Sequence, residues 1–205
     1  SWYRFDDANF MSKLMSDGLS ADLLFHGFAG HLMPGAFALT AYNFGLDPYA
    51  WAYPAAELLV LQAIANLGAL VFLCSAFGKR RGILPPLALF LFSSISLPAF
   101  LSWGPGITQL PFLAAIFWGS WAHLNYLRTR RFRWALLTIL ITLAAIAFGE
   151  KAMLLFWPYA VLALGWFATG DILTRLRTIM GRYLPGVLLY GVVSIGSVVA
   201  YLTLG

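Results

Sequence analysis

Long apolar runs separated by short polar connectors organise this chain, and the runs are too long and too continuous for the core of a small soluble domain. They fall at 49–77, 82–97, 108–127, 134–148 continuing towards Phe167, and 184–204. A helix needs about 20 apolar residues to cross a hydrocarbon core about 30 Å thick. The fourth run, at about 34 residues, is too long for one crossing. It is broken by the polar triplet Gly149-Glu150-Lys151, so it predicts two helices joined by a tight turn and brings the total to six spans. The second run is short and carries Pro85-Pro86 near its start, where a first helical turn tolerates the missing N–H. The pattern therefore predicts an all-α fold, a polytopic transmembrane bundle of about six spans.

The connectors carry the charge. Lys79, Arg80 and Arg81 form one basic cluster, Arg128, Arg130, Arg131 and Arg133 a second, and Arg175, Arg177 and Arg182 a third, which accounts for ten of the thirteen Lys and Arg residues. These clusters alternate with connectors that lack them, Ser102–Gly106 (SWGPG) and the GEK triplet. The positive-inside rule makes the clustered side cytoplasmic. Asp6, Asp7, Asp17, Asp22, Asp47 and Glu150 then belong to the outer face, Asp171 to the inner one, and Glu57 lies about two turns into the first span.

Between 19 and 44 the chain is only moderately apolar and is crowded with Gly, His and Pro. Ser20 is a plausible N-cap, followed by an apolar stripe of Leu23, Leu24, Phe28 and Leu32. Met33 precedes Pro34, which disfavours helix at that point. The expectation is amphipathic helices in the outer interface, so that 1–48 forms an extracytoplasmic segment and 49–205 a transmembrane helical domain. The stretch TGDILTRLRTIMGRYL reads as a second interfacial helix, on the basic side.

Composition agrees with this picture. Of 205 residues, 61% are hydrophobic and only 10% charged, against about 25% charged in soluble domains; the mean hydropathy is +0.80. The net charge of +5 does not indicate a nucleic-acid partner, because the basic residues occupy the positions of orientation signals between apolar runs. The single Cys74 excludes an internal disulfide. A start without methionine and an end directly after an apolar run raise the expectation that the chain is part of a longer protein.

The candidate chemistry lies on the outer face. Asp6-Asp7 could bind a divalent cation, serve as a general base, or cap the helix expected from Ala8. Asp22 and His26, four apart, share a helical face, where the carboxylate can orient the imidazole. His26 and His31 are five apart and do not form the i, i+4 pair of a helical zinc site. Gly30 and Gly35 flank His31 and Pro34 in GHLMPG, a bend able to hold His31 at a cavity mouth or simply to turn one helix into the next. Lys151 can meet a lipid phosphate while Glu150 positions a hydroxyl, or the two can pair with each other at the interface. Trp51, Tyr53 and Trp103 read as aromatic belt, His123 and Asn125 as structural. Glu57, Gln62 and Asn66 read as hydrogen-bonding between helices.

The order of these features (an acidic pair in the first outer segment, interfacial helices, HGFAGHLMPG, then short-looped apolar helices) resembles the GT-C superfamily of integral membrane glycosyltransferases. TQLPFLAAIFWGSWAHLNYLRTRRFRW and FGEKAMLLF are similar to actinobacterial members of that group. The resemblance implies a polyprenyl-phosphate sugar as donor, a glycan, lipid or protein as acceptor, and an outer-loop aspartate, Asp6 or Asp7, as general base. Arg4, His31 and Lys151 become candidates for the donor phosphate, with Asp22, His26 and Glu150 beside them in the substrate site. No cofactor is implied beyond a possible divalent cation at Asp6 and Asp7. Members of the family have a transmembrane helix before the acidic pair and further helices after the last span seen here, which adds to the expectation that this sequence is part of a longer protein. The rivals are a non-catalytic membrane scaffold or subunit of the same fold and a lipid or small-molecule transporter. The aspartates, one histidine and the GEK turn are expected to face a common outward cavity open to lipid.

Overall fold

The computed structural model describes residues 11–16, 18, 20–25, 31–47, 50–91 and 103–204, apart from the side chain of Asp22. Asp6, Asp7, Arg4 and His26 lie outside the described residues. Regular secondary structure among the described residues is helical, without a β-strand. Residues 11–16 are helical, and the helices α1 (Ala21–Phe25) and α2 (Pro34–Leu46) follow before the long α3 (Ala52–Phe77). A 3-10 turn, Arg81–Ile83, leads into α4 (Leu84–Leu91), and α5 (Trp103–Thr129) and α6 (Phe132–Ile146) follow. A 3-10 segment, Glu150–Leu155, continues into α7 (Phe156–Trp166), and α8 (Ile172–Leu204) closes the bundle.

Local chemistry sets many of these boundaries. The Ser20 hydroxyl accepts the Leu23 N–H at 3.0 Å, the expected N-cap. Pro34 opens α2, where its missing N–H costs nothing, and Pro85-Pro86 occupy the first turn of α4. Between α5 and α6 the chain reverses in a tight turn: Arg130 takes a left-handed conformation (φ 56°) while its N–H bonds the Tyr126 carbonyl at 2.7 Å. Asp171 caps α8. It accepts the Thr174 hydroxyl, and that bond, together with backbone N–H donors, holds its carboxyl below the usual carboxylate range.

The helices run alternately between two ends of the bundle. Trp103 meets Glu57 near the start of α3, and Arg128 meets Ser75 near its finish, so α3 and α5 are parallel. Between them α4 rises from the basic clusters until Phe90 stacks edge-on against Phe117 at 4.8 Å. α6 returns antiparallel to α5, and α7 descends until Trp166 meets Phe77 at 5.5 Å. The basic residues here are helix caps as well as charges. Arg128 donates to the Ser75 carbonyl (2.8 Å) and hydroxyl (3.1 Å). Arg175 donates to the carbonyls of Gly170 (2.8 Å) and Leu164 (3.1 Å). Each guanidinium thereby satisfies carbonyls at the negative end of a helix.

α8 has 33 residues, about 50 Å of helix, more than one crossing requires. It is kinked at Tyr183 (φ −127°, ψ 21°), two residues before Pro185. The kink separates the expected interfacial helix from the expected span at 184–204. α5 takes up the groups that the kink frees. The Tyr126 hydroxyl donates to the Tyr183 carbonyl (3.2 Å) and accepts the Gly186 N–H (3.1 Å), while the Tyr183 hydroxyl donates to the Leu127 carbonyl (2.9 Å).

Among the described residues two helices, α3 and α8, are long and apolar enough to cross a membrane. α4 and α6 are apolar but shorter. α5 is as long as α3 but carries Gln109, His123 and Asn125 and buries much of its surface at the centre of the bundle. Leu188, Val192, Ile195, Val199 and Leu202 form an exposed apolar stripe along α8. α1 and α2 pack into the same core as α3 and α5, through Leu23, Met33, Ala36, Phe37, Leu58 and Ile107.

Two expectations are corrected. Trp103–Gly106 is not loop but the first turn of α5. Trp103 is not part of an aromatic belt: it is 1% exposed, because its indole N–H reaches inward to a carboxylate.

Candidate functional site

At the end of the bundle opposite the basic clusters, two segments far apart in sequence meet. His31 Nδ1 lies 2.8 Å from Glu150 Oε1, across 119 positions of chain. A carboxylate that accepts from Nδ1–H fixes the imidazole tautomer and leaves Nε2 facing away from it. A backbone contact reinforces the junction. The Gly35 N–H donates to the Ala147 carbonyl at 2.6 Å, and a Cβ on residue 35 would sit 2.9 Å from that oxygen. Only glycine allows the first turn of α2 to come so close to the turn after α6. Glu150 therefore pairs with His31, and the alternative of a Glu150–Lys151 pair is corrected. Lys151 stands exposed beside the junction and makes no ion pair among the described residues.

A second polar centre lies deeper. Glu57 Oε2 accepts Asn43 Nδ2 at 2.8 Å and Trp103 Nε1 at 3.1 Å, so one carboxylate ties α2, α3 and α5 together. Asn43 is 6% exposed, and its Oδ1 has no partner among the described residues. Part of the expectation for this helix is corrected: Gln62 Nε2 bonds Asn66 Oδ1 at 2.7 Å along α3 itself, not between helices.

The third centre is buried among α5, α7 and α8. His123 Nε2 faces the Tyr159 carbonyl and Nδ1 the Tyr190 hydroxyl, both at 3.0 Å. A carbonyl only accepts, so Nε2 carries the proton and Nδ1 accepts from Tyr190. His123 is thus the satisfied structural histidine that the sequence indicated. The Tyr159 hydroxyl meets Thr142 Oγ1 at 3.1 Å. Beside this network is a cavity of about 320 Å³, lined by Tyr126, Tyr159, Tyr183, Val187 and Tyr190 among others. Sequence reasoning missed it. The available signal was two i, i+7 tyrosines on α8 (Tyr183, Tyr190) facing an i, i+3 His–Tyr pair on α5 (His123, Tyr126).

Of the candidate site residues, the fold brings His31, Glu150 and Lys151 to one end. Asp6, Asp7, Arg4, His26 and the Asp22 side chain lie outside the described residues. Among the described residues no cluster of three or more His, Cys, Asp or Glu side chains could hold a metal ion. Comparison with known proteins returns no match to a family model, to a curated protein or to a solved structure.

Proposed function

We propose that this chain is the membrane core of a GT-C-type glycosyltransferase, which moves a sugar from a polyprenyl-phosphate donor to a cell-envelope acceptor outside the cytoplasmic membrane. The observation that carries this reading is the His31–Glu150 junction, 2.8 Å across. Both residues were candidates on sequence grounds, and they meet at the end away from the basic clusters, with Lys151 alongside. The alternating run of the helices supports six crossings: α3, the return through α4, α5, α6, the 3-10 segment with α7, and α8. The exposed stripe on α8 supports lipid contact, since a continuous apolar surface of that kind is unfavourable in water. The basic clusters then mark the cytoplasmic side.

On this reading Asp6 or Asp7 removes the proton from the acceptor hydroxyl. The oxygen attacks the anomeric carbon, the bond from that carbon to the phosphate oxygen breaks, and polyprenyl phosphate leaves with the electron pair. Lys151 and Arg4 stabilise the departing anion, and His31 turns Nε2 towards it while Glu150 holds Nδ1. Asp22 and His26 belong to the same substrate site.

The test uses membranes containing the full protein and a panel of radiolabelled polyprenyl-phosphate pentoses and hexoses. The Asp6→Asn/Asp7→Asn double variant should lose transfer by about 100-fold or more, the usual contribution of a general base. Full activity in that variant would end the catalytic reading and leave the non-catalytic scaffold.

A further inference from the structure

We infer that the cavity between α5, α7 and α8 holds an acyl chain of an anionic phospholipid, whose phosphate is met by Arg182. This rests on the membrane reading above but is independent of sugar transfer. The cavity volume of about 320 Å³ falls in the roughly 300–1,000 Å³ range of small-molecule sites. The chemistry of its wall selects the occupant. The Tyr126 O–H is committed to the Tyr183 carbonyl, the Tyr183 O–H to the Leu127 carbonyl, and the Tyr190 O–H to His123. The Tyr159 hydroxyl is engaged with Thr142. Apart from the Ser194 hydroxyl, ring faces and aliphatic carbons remain to meet a guest. A polar molecule would give up its hydrogen bonds to water and find few in return, whereas an alkyl chain gives up none.

The rim supplies the charge. Arg182 is exposed, and its guanidinium lies 5.7 Å from the centroid of the Tyr183 ring, which itself lines the cavity. Two cations of the same clusters serve as helix caps instead: Arg128 caps α3, and Arg175 caps α7. Arg182 makes no ion pair among the described residues and stands at the kink, where the apolar part of α8 begins. A cation at that level, one residue from an apolar cavity, matches a lipid whose phosphate sits at the interface and whose chain enters the bundle.

Photolabelling tests this. The purified full chain is placed in phosphatidylcholine vesicles with a trace of phosphatidylglycerol that carries a diazirine on its acyl chain. After irradiation the adducts are mapped by mass spectrometry. Adducts are expected on the α8 segment that contains Met180, Val187 and Gly191, and unlabelled phosphatidylglycerol should compete better than phosphatidylcholine. Arg182→Ala should reduce that preference about fivefold, the worth of one interfacial arginine. Gly191→Phe should abolish the adducts, since a side chain there enters open space beside the cavity and meets no neighbour within 4 Å. Equal competition by the two lipids, no effect of Arg182→Ala, adducts that persist in Gly191→Phe, or cross-links to a second copy of the chain would each overturn the proposal. Failure of the chain to enter vesicles at all would overturn the membrane reading with it, whereas loss of sugar transfer alone would leave it standing.

Discussion

Replacing Gly119 with alanine drives a methyl group into the Tyr159 hydroxyl. A Cβ on residue 119 would lie 2.0 Å from that oxygen and 3.1 Å from the ring carbon that bears it. Tyr159 cannot swing aside freely: it is 1% exposed and flanked by His123, Phe156 and Tyr190. It must withdraw by more than an ångström, which breaks its 3.1 Å contact with Thr142. Overpacking of this kind costs about 1–3 kcal/mol, and a stranded buried hydroxyl about 1–3 kcal/mol more. Alanine returns about 1 kcal/mol through its better helix propensity, so the net loss is about 3 kcal/mol. The partner substitution makes the test sharp. Tyr159→Phe alone should cost about 1 kcal/mol, because Thr142 keeps its 2.8 Å bond to the Thr138 carbonyl. In the Gly119→Ala background the same change removes the colliding oxygen and should stabilise the protein. Cys74 is the single cysteine and is half-buried, so a thiol-reactive fluorophore can follow thermal unfolding of all four proteins. The reasoning fails if Gly119→Ala is as stable as the parent, or if Tyr159→Phe destabilises both backgrounds equally.

Three further predictions concern the bundle ends. A double-mutant cycle with His31→Ala and Glu150→Ala should give a coupling of only about 0.3–1 kcal/mol, because His31 is half exposed; a coupling of zero would mean that the two groups do not meet. Glu57→Leu strands the Asn43 amide and the Trp103 indole N–H together and should cost about 2–4 kcal/mol, with faster hydrogen exchange at the Trp103 indole; unchanged exchange would contradict the bond. Asp171 has its pKa lowered on folding, so its contribution to the start of α8 is present above the unfolded carboxylate pKa and is lost as pH falls through the lower folded value. NMR titration should place its midpoint below 3.8 and Thr174→Val should move it back up; a midpoint unaffected by Thr174→Val would refute the capping bond.

Much of the architecture is legible in the sequence, because the signals behind it are local. Ser20 caps α1, Pro34 opens α2, the GEK triplet separates two helices, and the boundary before Leu184 falls on the kink. Trp103 was misread because a tryptophan near a Gly-Pro-Gly sequence looks like an interfacial loop residue, and only its partner Glu57, 46 positions away, turns it inward. Gln62 and Asn66 were assigned across helices, although their spacing of four already allowed a bond along one helix.

By itself the sequence determined the helical class, the apolar character of the surface, the segregation of charge and most helix ends. Each follows from composition and from spacings shorter than two helical turns. Which distant groups share a site was decided only in three dimensions. His31 finds Glu150 because Gly35 lets α2 approach the turn after α6, and the aromatic cavity exists because α7 and a kinked α8 pack against one face of α5. Packing of this kind depends on how side chains interlock over the whole bundle, and no local pattern encodes it.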